Sequence, residues 1–147
     1  MGLFVSWYLG TIIQMNVINQ GIYNTLTAGT ALTALLAGTT SIYNMQAPDG
    51  AILPYVIFNL QAGGADPFLP TDAINVLYYV RGFTKVSAAG AGSIATQIDA
   101  LLHGKTISIS GYTNFWCNHE QNIPTLENLP NGEKVYSDGW YYKIRLD

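Results

Sequence analysis

A chain of 147 residues, 49% of them hydrophobic and only 10% charged, with a net charge of −3, has the size of one domain with a real core. Weak acidity and six scattered basic residues (Arg81, Lys85, Lys105, Lys134, Lys143 and Arg145) exclude a nucleic-acid-binding module built on a basic stripe. One cysteine, Cys117, excludes an internal disulfide, and a charged share far below the usual quarter or so implies apolar surface that other subunits cover.

Residues 1–14, MGLFVSWYLGTIIQ, are apolar and uncharged. They lack the basic start and small-residue cleavage site of a signal peptide. They also fall short of the ~20 apolar residues that span a bilayer. We expect residues 1–15 to form an N-terminal arm apart from the domain of residues 16–147. Leu3, Phe4, Trp7, Tyr8 and Ile12 are its candidate contacts, with its own domain, a sister subunit or a partner protein all open as the surface they meet.

Asn16 to Leu26 reads as a helix capped by Asn16, with Ile18, Ile22 and Leu26 on one face. Thr27 to Ala37 reads as a second short helix with Ala31, Leu32, Leu35 and Leu36 on its apolar side and Gly38 as its stop. Ser41 to Leu60 reads as a hairpin: a short strand, the turn Ala47-Pro48-Asp49-Gly50, and the apolar run Pro54 to Leu60. Pro54 fits only the first position of that strand, and a run apolar on both faces expects cover on both. Gln61 to Pro70 reads as a loop. Phe68 and Leu69 at its tip are apolar where solvent would favour polar residues, so they join the candidate interface.

Asp72 to Thr84 alternates as a long strand, with Ile74, Val76, Tyr78 and Val80 on one face and Asn75, Leu77, Tyr79 and Arg81 on the other. Ser87 caps a helix running to His103, with Ala91, Ile94, Ala95, Ile98, Leu101 and Leu102 as its stripe and Gly104 at its end. Lys105–Ile109 and Tyr112–Glu120 read as two strands, and Asn122–Gly132 as a polar loop. Glu133–Asp147 reads as a strand pair or one long strand bent near Asp138-Gly139, with Trp140, Tyr142, Ile144 and Leu146 inward. The order predicts an α+β single domain: a mainly antiparallel sheet with two or three helices packed on one face.

No motif carries chemistry. Gly90-Ala-Gly92-Ser-Ile-Ala95 matches a dinucleotide fingerprint in letters but lacks the second βαβ unit and the acid on a following strand. Cys117 and His119 share a strand face, yet two ligands do not complete a zinc site, and so local a pair is a poor nucleophile and base. The carboxylates fall in loops and strand ends without constrained spacing. We therefore expect no catalytic residue, no cofactor and no metal. Tyr and Trp without basic interleaving fit core and protein interfaces better than base stacking.

The stretches Gly21-Ile22-Tyr23-Asn24-Thr25-Leu26, Thr30 to Gly38, Ile42-Tyr43, Gln46-Ala47-Pro48 with Leu53-Pro54-Tyr55-Val56-Ile57-Phe58, and Ile98 to Gly104 together resemble the tail-completion (tail-terminator) proteins of long-tailed bacteriophages and gene-transfer agents. The resemblance covers roughly residues 16–147 and leaves the arm outside. It implies a structural virion protein, not an enzyme: a homo-oligomeric ring, usually a hexamer, at the head-proximal end of the tail tube. Such a ring would stop tube polymerisation and join the tail to a neck or head-completion protein. DNA would pass its lumen without specific binding, and no membrane is involved. Two alternatives remain open: another neck component, such as a head-completion or adaptor protein, and a soluble small-ligand-binding module with a closed cavity lined by Tyr78, Trp116 and Trp140.

Overall fold

The computed structural model describes residues 16–65 and 74–146. The arm of residues 1–15 and the loop residues Phe68 and Leu69 lie outside the described residues. In chain order the described elements are α1 (16–27), α2 (Thr30–Thr33), β1 (Ile42–Asn44), β2 (Tyr55–Ala65), β3 (Ile74–Thr84), α3 (Ala88–Leu102), β4 (Asn114–Asn122), β5 (Thr125–Asn128) and β6 (Lys134–Leu146). The sheet order is β1-β2-β3-β6-β4, with β5 also pairing β6. All pairings are antiparallel except β1 with β2. The fold is α+β, as its element order predicts.

Alternation decides which way each strand faces. Val56 and Phe58 of β2, Val76, Tyr78 and Val80 of β3, and Tyr142, Ile144 and Leu146 of β6 meet Ile18, Ile22, Leu26, Ile94, Ile98 and Leu102 of the helices in one core. Each such side chain stabilises the fold by roughly 1.5–3 kcal/mol on leaving water. The opposite residues, Ile57, Phe83 and Val135, form a smaller cluster with Ala47, Leu53, Tyr55 and Leu129 on the face that carries no helix among the described residues. The β2 run is thus covered on both sides, as its composition demands.

Several elements differ from expectation. Asn16 is already helical, so it is not the cap of α1. Gly21, which weakens a helix in isolation, is where α1 closes on the chain after α3: a Cβ there would lie 2.8 Å from Ile109 Cγ1 and 2.9 Å from the Ser108 carbonyl. The second helix is a single turn. Only Leu32 and Leu36 of its apolar side reach the core, Leu35 is 40% exposed, and the Ala37 N–H donates to the Pro54 carbonyl, drawing the chain toward β2. Gly38 is not in the left-handed region and stops nothing.

The central stretch is not a hairpin. Ile42, Tyr43 and Asn44 pair in parallel with Val56, Ile57 and Phe58. The predicted turn exists, with the Ala51 N–H donating to Pro48 and Gly50 at φ 79°, but it lies within a longer return path. That path sets Ala47 and Leu53 onto the second cluster, a burial that a tight reversal would forgo. Residues 61–65 extend β2 rather than forming a loop, because a bulge between Leu60 and Ala62 carries the ladder on along β3.

Ser87 caps α3 as predicted, its hydroxyl accepting from the Gly90 N–H at 3.0 Å, and Gly104 follows the helix at φ 69°. Lys105–Ile109 is not a strand. The Ile107 N–H is taken by the Asn114 side chain at 2.7 Å, and one bridge joins Ile109 to Tyr112. Within the predicted polar loop, Pro124 and Pro130 bracket the exposed edge strand β5. β6 is one strand of 13 residues; its first half pairs β5 and its second half pairs β4.

Candidate functional site

Two surfaces of this fold gather functional side chains. The first is the corner where the end of α3 meets β4. Asp99 and His103 are one helical turn apart, and the His119 main chain reaches them from β4. His119 Nδ1 lies 2.8 Å from Asp99 Oδ1, and the Tyr142 hydroxyl donates to the same oxygen at 2.9 Å. The His119 backbone N–H donates to His103 Nδ1 at 3.1 Å. The rings of His103 and His119 stack at 3.8 Å and 13°, and Trp140 stacks on the far side of His119 at 4.3 Å and 15°. Burial, then the hydrogen bond to Asp99, raises the Tyr142 hydroxyl above the ordinary tyrosine range. Burial and, secondarily, the Asp99 charge push the Cys117 thiol up to about 12.

Asp99, His103 and His119 each offer a ligand atom within 4.8 Å of the others, so the corner is a candidate cation site. Its hydrogen bonds point elsewhere. His103 Nδ1 accepts a backbone N–H, which places its proton on Nε2, and His119 Nδ1 is occupied by Asp99. Near-parallel rings also run their in-plane lone pairs side by side rather than toward one ion. The set does not suit tetrahedral zinc. It suits a latch that ties the end of α3 to the edge of the sheet. Cys117 is fully buried, and a thiol held neutral is a poor nucleophile.

The second surface is the sheet face without helices. At one end lies the Ile57, Phe83 and Val135 cluster. At the other, Tyr79 and Tyr141 pair at 4.7 Å, and the Arg81 guanidinium lies 4.8 Å from the Tyr79 ring and 4.9 Å from that of Phe83. Lys143 and Arg145 follow on β6. Burial is the main cause that raises the Tyr79 hydroxyl, against the opposing pull of Arg81.

The candidate interface residues Leu3, Phe4, Trp7, Tyr8, Ile12, Phe68 and Leu69 all lie outside the described residues. Cys117 and His119 do share a face. Tyr78, Trp116 and Trp140 do not line a common cavity. Tyr78 is fully buried with its hydroxyl donating to Asn19, and Trp116 opposite Arg145 lies on the other side of the sheet from Trp140. Sequence reasoning missed Asp99 and Tyr142; the i, i+4 spacing of Asp99 and His103 was the available signal. Among the described residues no helix is long and apolar enough to cross a membrane.

The family model described as tail completion protein gp17 matches residues 20–127. The match spans most of the chain, including Asp99, His103 and His119 but not β6 with Trp140 and Tyr142, and the protein belongs to this family. It is a structural protein of the phage tail and a component of the virion. A chain from the "Virion of native gene transfer agent (GTA) particle" has a similar fold, with a TM-score of 0.63 at 18% identity over 85% of this chain and 90% of that one. No curated protein matches the chain.

Proposed function

We propose that this protein is the tail terminator: a ring of its own copies, six in number, seated on the head-proximal end of the tail tube. The ring stops tube polymerisation and presents a joining surface to a neck or head-completion protein. Membership of the tail completion family is the observation that carries this reading. Low charge supports it, since a chain with 10% charged residues fits life within an assembly. Net acidity supports a lumen that DNA passes without specific binding. The subunit contacts are assigned to the arm residues Leu3, Phe4, Trp7, Tyr8 and Ile12 and to the loop residues Phe68 and Leu69. The latch is structural, and no catalytic residue, cofactor or metal enters.

Negative-stain electron microscopy of the purified protein, with and without isolated tail tubes, tests the reading. Rings with a central hole, or caps at one tube end that arrest further growth, are expected. A protein that stays monomeric and leaves tubes uncapped and growing overturns the terminator assignment. Binding only to the neck side of a finished tail would instead make it a neck adaptor.

A further inference from the structure

The geometry points to a specific receptor for the N-terminal arm: the groove on the helix-free sheet face receives residues 1–15 of a neighbouring copy. This inference rests on the ring reading above and names where its subunits engage. The groove runs between the Ala51–Leu53 segment and the chain after β5. Its volume is about 450 Å³, and Leu53, Tyr55, Phe83, Leu129 and Val135 line it, with Ile52 on the rim. The floor residues Phe83 and Val135 are nearly but not fully sealed. The rim is the reverse of a solvent surface: Ile52 is 73% exposed, and Met45 on the same return segment is 74% exposed. A small open core with apolar knobs beside it is incomplete as it stands.

The occupant follows from chemistry and position. Residues 1–15 carry no charge and include Leu3, Phe4, Val5, Trp7, Tyr8, Leu9, Ile12 and Ile13, so they bring apolar surface in need of cover and strand no ion in the groove. The charged groups at the groove are Lys85 and Glu127, and Lys85 is already paired with Glu133 at 2.8 Å. The volume accommodates aromatic side chains, which dominate interface energetics. Extended, the arm reaches about 50 Å, far enough to cross a subunit boundary. It leaves its own domain at α1, which packs on the helix-covered face, whereas the groove opens on the opposite face. A neighbour's groove can be met without wrapping round the sheet of the same chain. Repeated head to tail, such a contact is heterologous, the kind that makes a ring when the rotation between copies closes.

Cysteine cross-linking tests the inference, on a background where Cys117 is buried. One preparation carries Trp7→Cys and a second, differently tagged, carries Ile52→Cys; Ile52 is 73% exposed and lies outside the core. The two are mixed, assembled with tail tubes and oxidised. A disulfide between one chain of each kind is expected, several-fold above the yield with Asn118→Cys, an exposed site on the same sheet face. No cross-link above that control overturns the inference, as does a third preparation, carrying both substitutions in every chain, that links only within single chains. A link of the Ile52→Cys chain to a tube protein overturns it too. Microscopy of the same samples separates the readings. Rings without the cross-link refute the groove and leave the terminator standing, whereas tubes without rings or caps refute both.

Discussion

Gly139 of β6 and Gly92 of α3 sit in differently packed surroundings, and the structure assigns opposite signs to the same substitution at each. A Cβ on Gly139 would stand 2.1 Å from the Val80 carbonyl oxygen and 2.5 Å from Arg81 Cα. These are backbone atoms of β3, held on both sides by the β2 and β6 ladders, so no flexible side chain can move away. Gly139→Ala must part β3 from β6 at the centre of the sheet. Overpacking costs typically 1–3 kcal/mol, and with rigid partners the upper end applies, about 3 kcal/mol. At roughly 2–4 °C per kcal/mol for a domain of this size, the melting temperature falls by about 6–12 °C. Gly92 sits inside α3, where a Cβ meets nothing nearer than Asp138 Oδ2 at 3.7 Å, ordinary contact. Gly92→Ala gains helix propensity of roughly 0.5–1 kcal/mol and raises the melting temperature by a few degrees. Urea unfolding followed by far-ultraviolet circular dichroism reads both. A neutral Gly139→Ala, or equal signs for the pair, refutes the placement of β6 against β3.

The other predictions address the latch, the buried acids and the helix cap. Tyr142→Phe removes the donor to Asp99 and costs about 1–2 kcal/mol, because the bond is charge-assisted but Asp99 is partly solvated; Trp140→Phe, which keeps the stack on His119, costs less in the same urea assay. Cys117 binds its proton more tightly folded than unfolded. The stability it contributes is therefore fully present below pH 9 and is lost as pH rises through about 12, with Tyr78 and Tyr142 pulling the same way. Unfolding free energies measured at intervals above pH 8 should fall, and Cys117→Ala should flatten the slope. The native thiol should resist a neutral-pH disulfide reagent that labels it at once in urea; prompt labelling of folded protein contradicts its burial. Ser87→Ala loses the cap of α3 and costs about 1 kcal/mol, whereas Ser87→Asp retains it.

The sequence made the helices and the long strands legible where one periodicity ran unopposed. Ile18, Ile22 and Leu26, the stripe of α3, and the alternations of β3 and β6 all fall where the pattern puts them, because each element buries one face against one partner. The pattern failed where the partner lay on the second face. Ala47 and Leu53 read as turn and strand edge, yet their burial against Tyr55 and Phe83 sends the chain back in parallel and removes the hairpin. Gln61 to Ala65 reads as a loop because small residues carry no periodicity, while pairing with β3 needs only backbone. Within the latch, Cys117 and His119 were visible as a pair on one face. Asp99 was marked only by its i, i+4 spacing to His103, and Tyr142 not at all, since only the fold brings a helix end beside these strands.

The two faces of the sheet divide the protein's tasks. The helix-covered face holds the continuous core and the latch. The opposite face keeps a small core at one end, open at the groove, and a row of tyrosine, arginine and lysine side chains beyond it. On the inference above, the uncharged apolar residues 1–15 of a neighbouring copy cover the groove on that face. If the arm of one copy completes the face of the next, folding and assembly become successive burials of the same kind. The domain then folds on one side of the sheet, and the ring forms by covering the other.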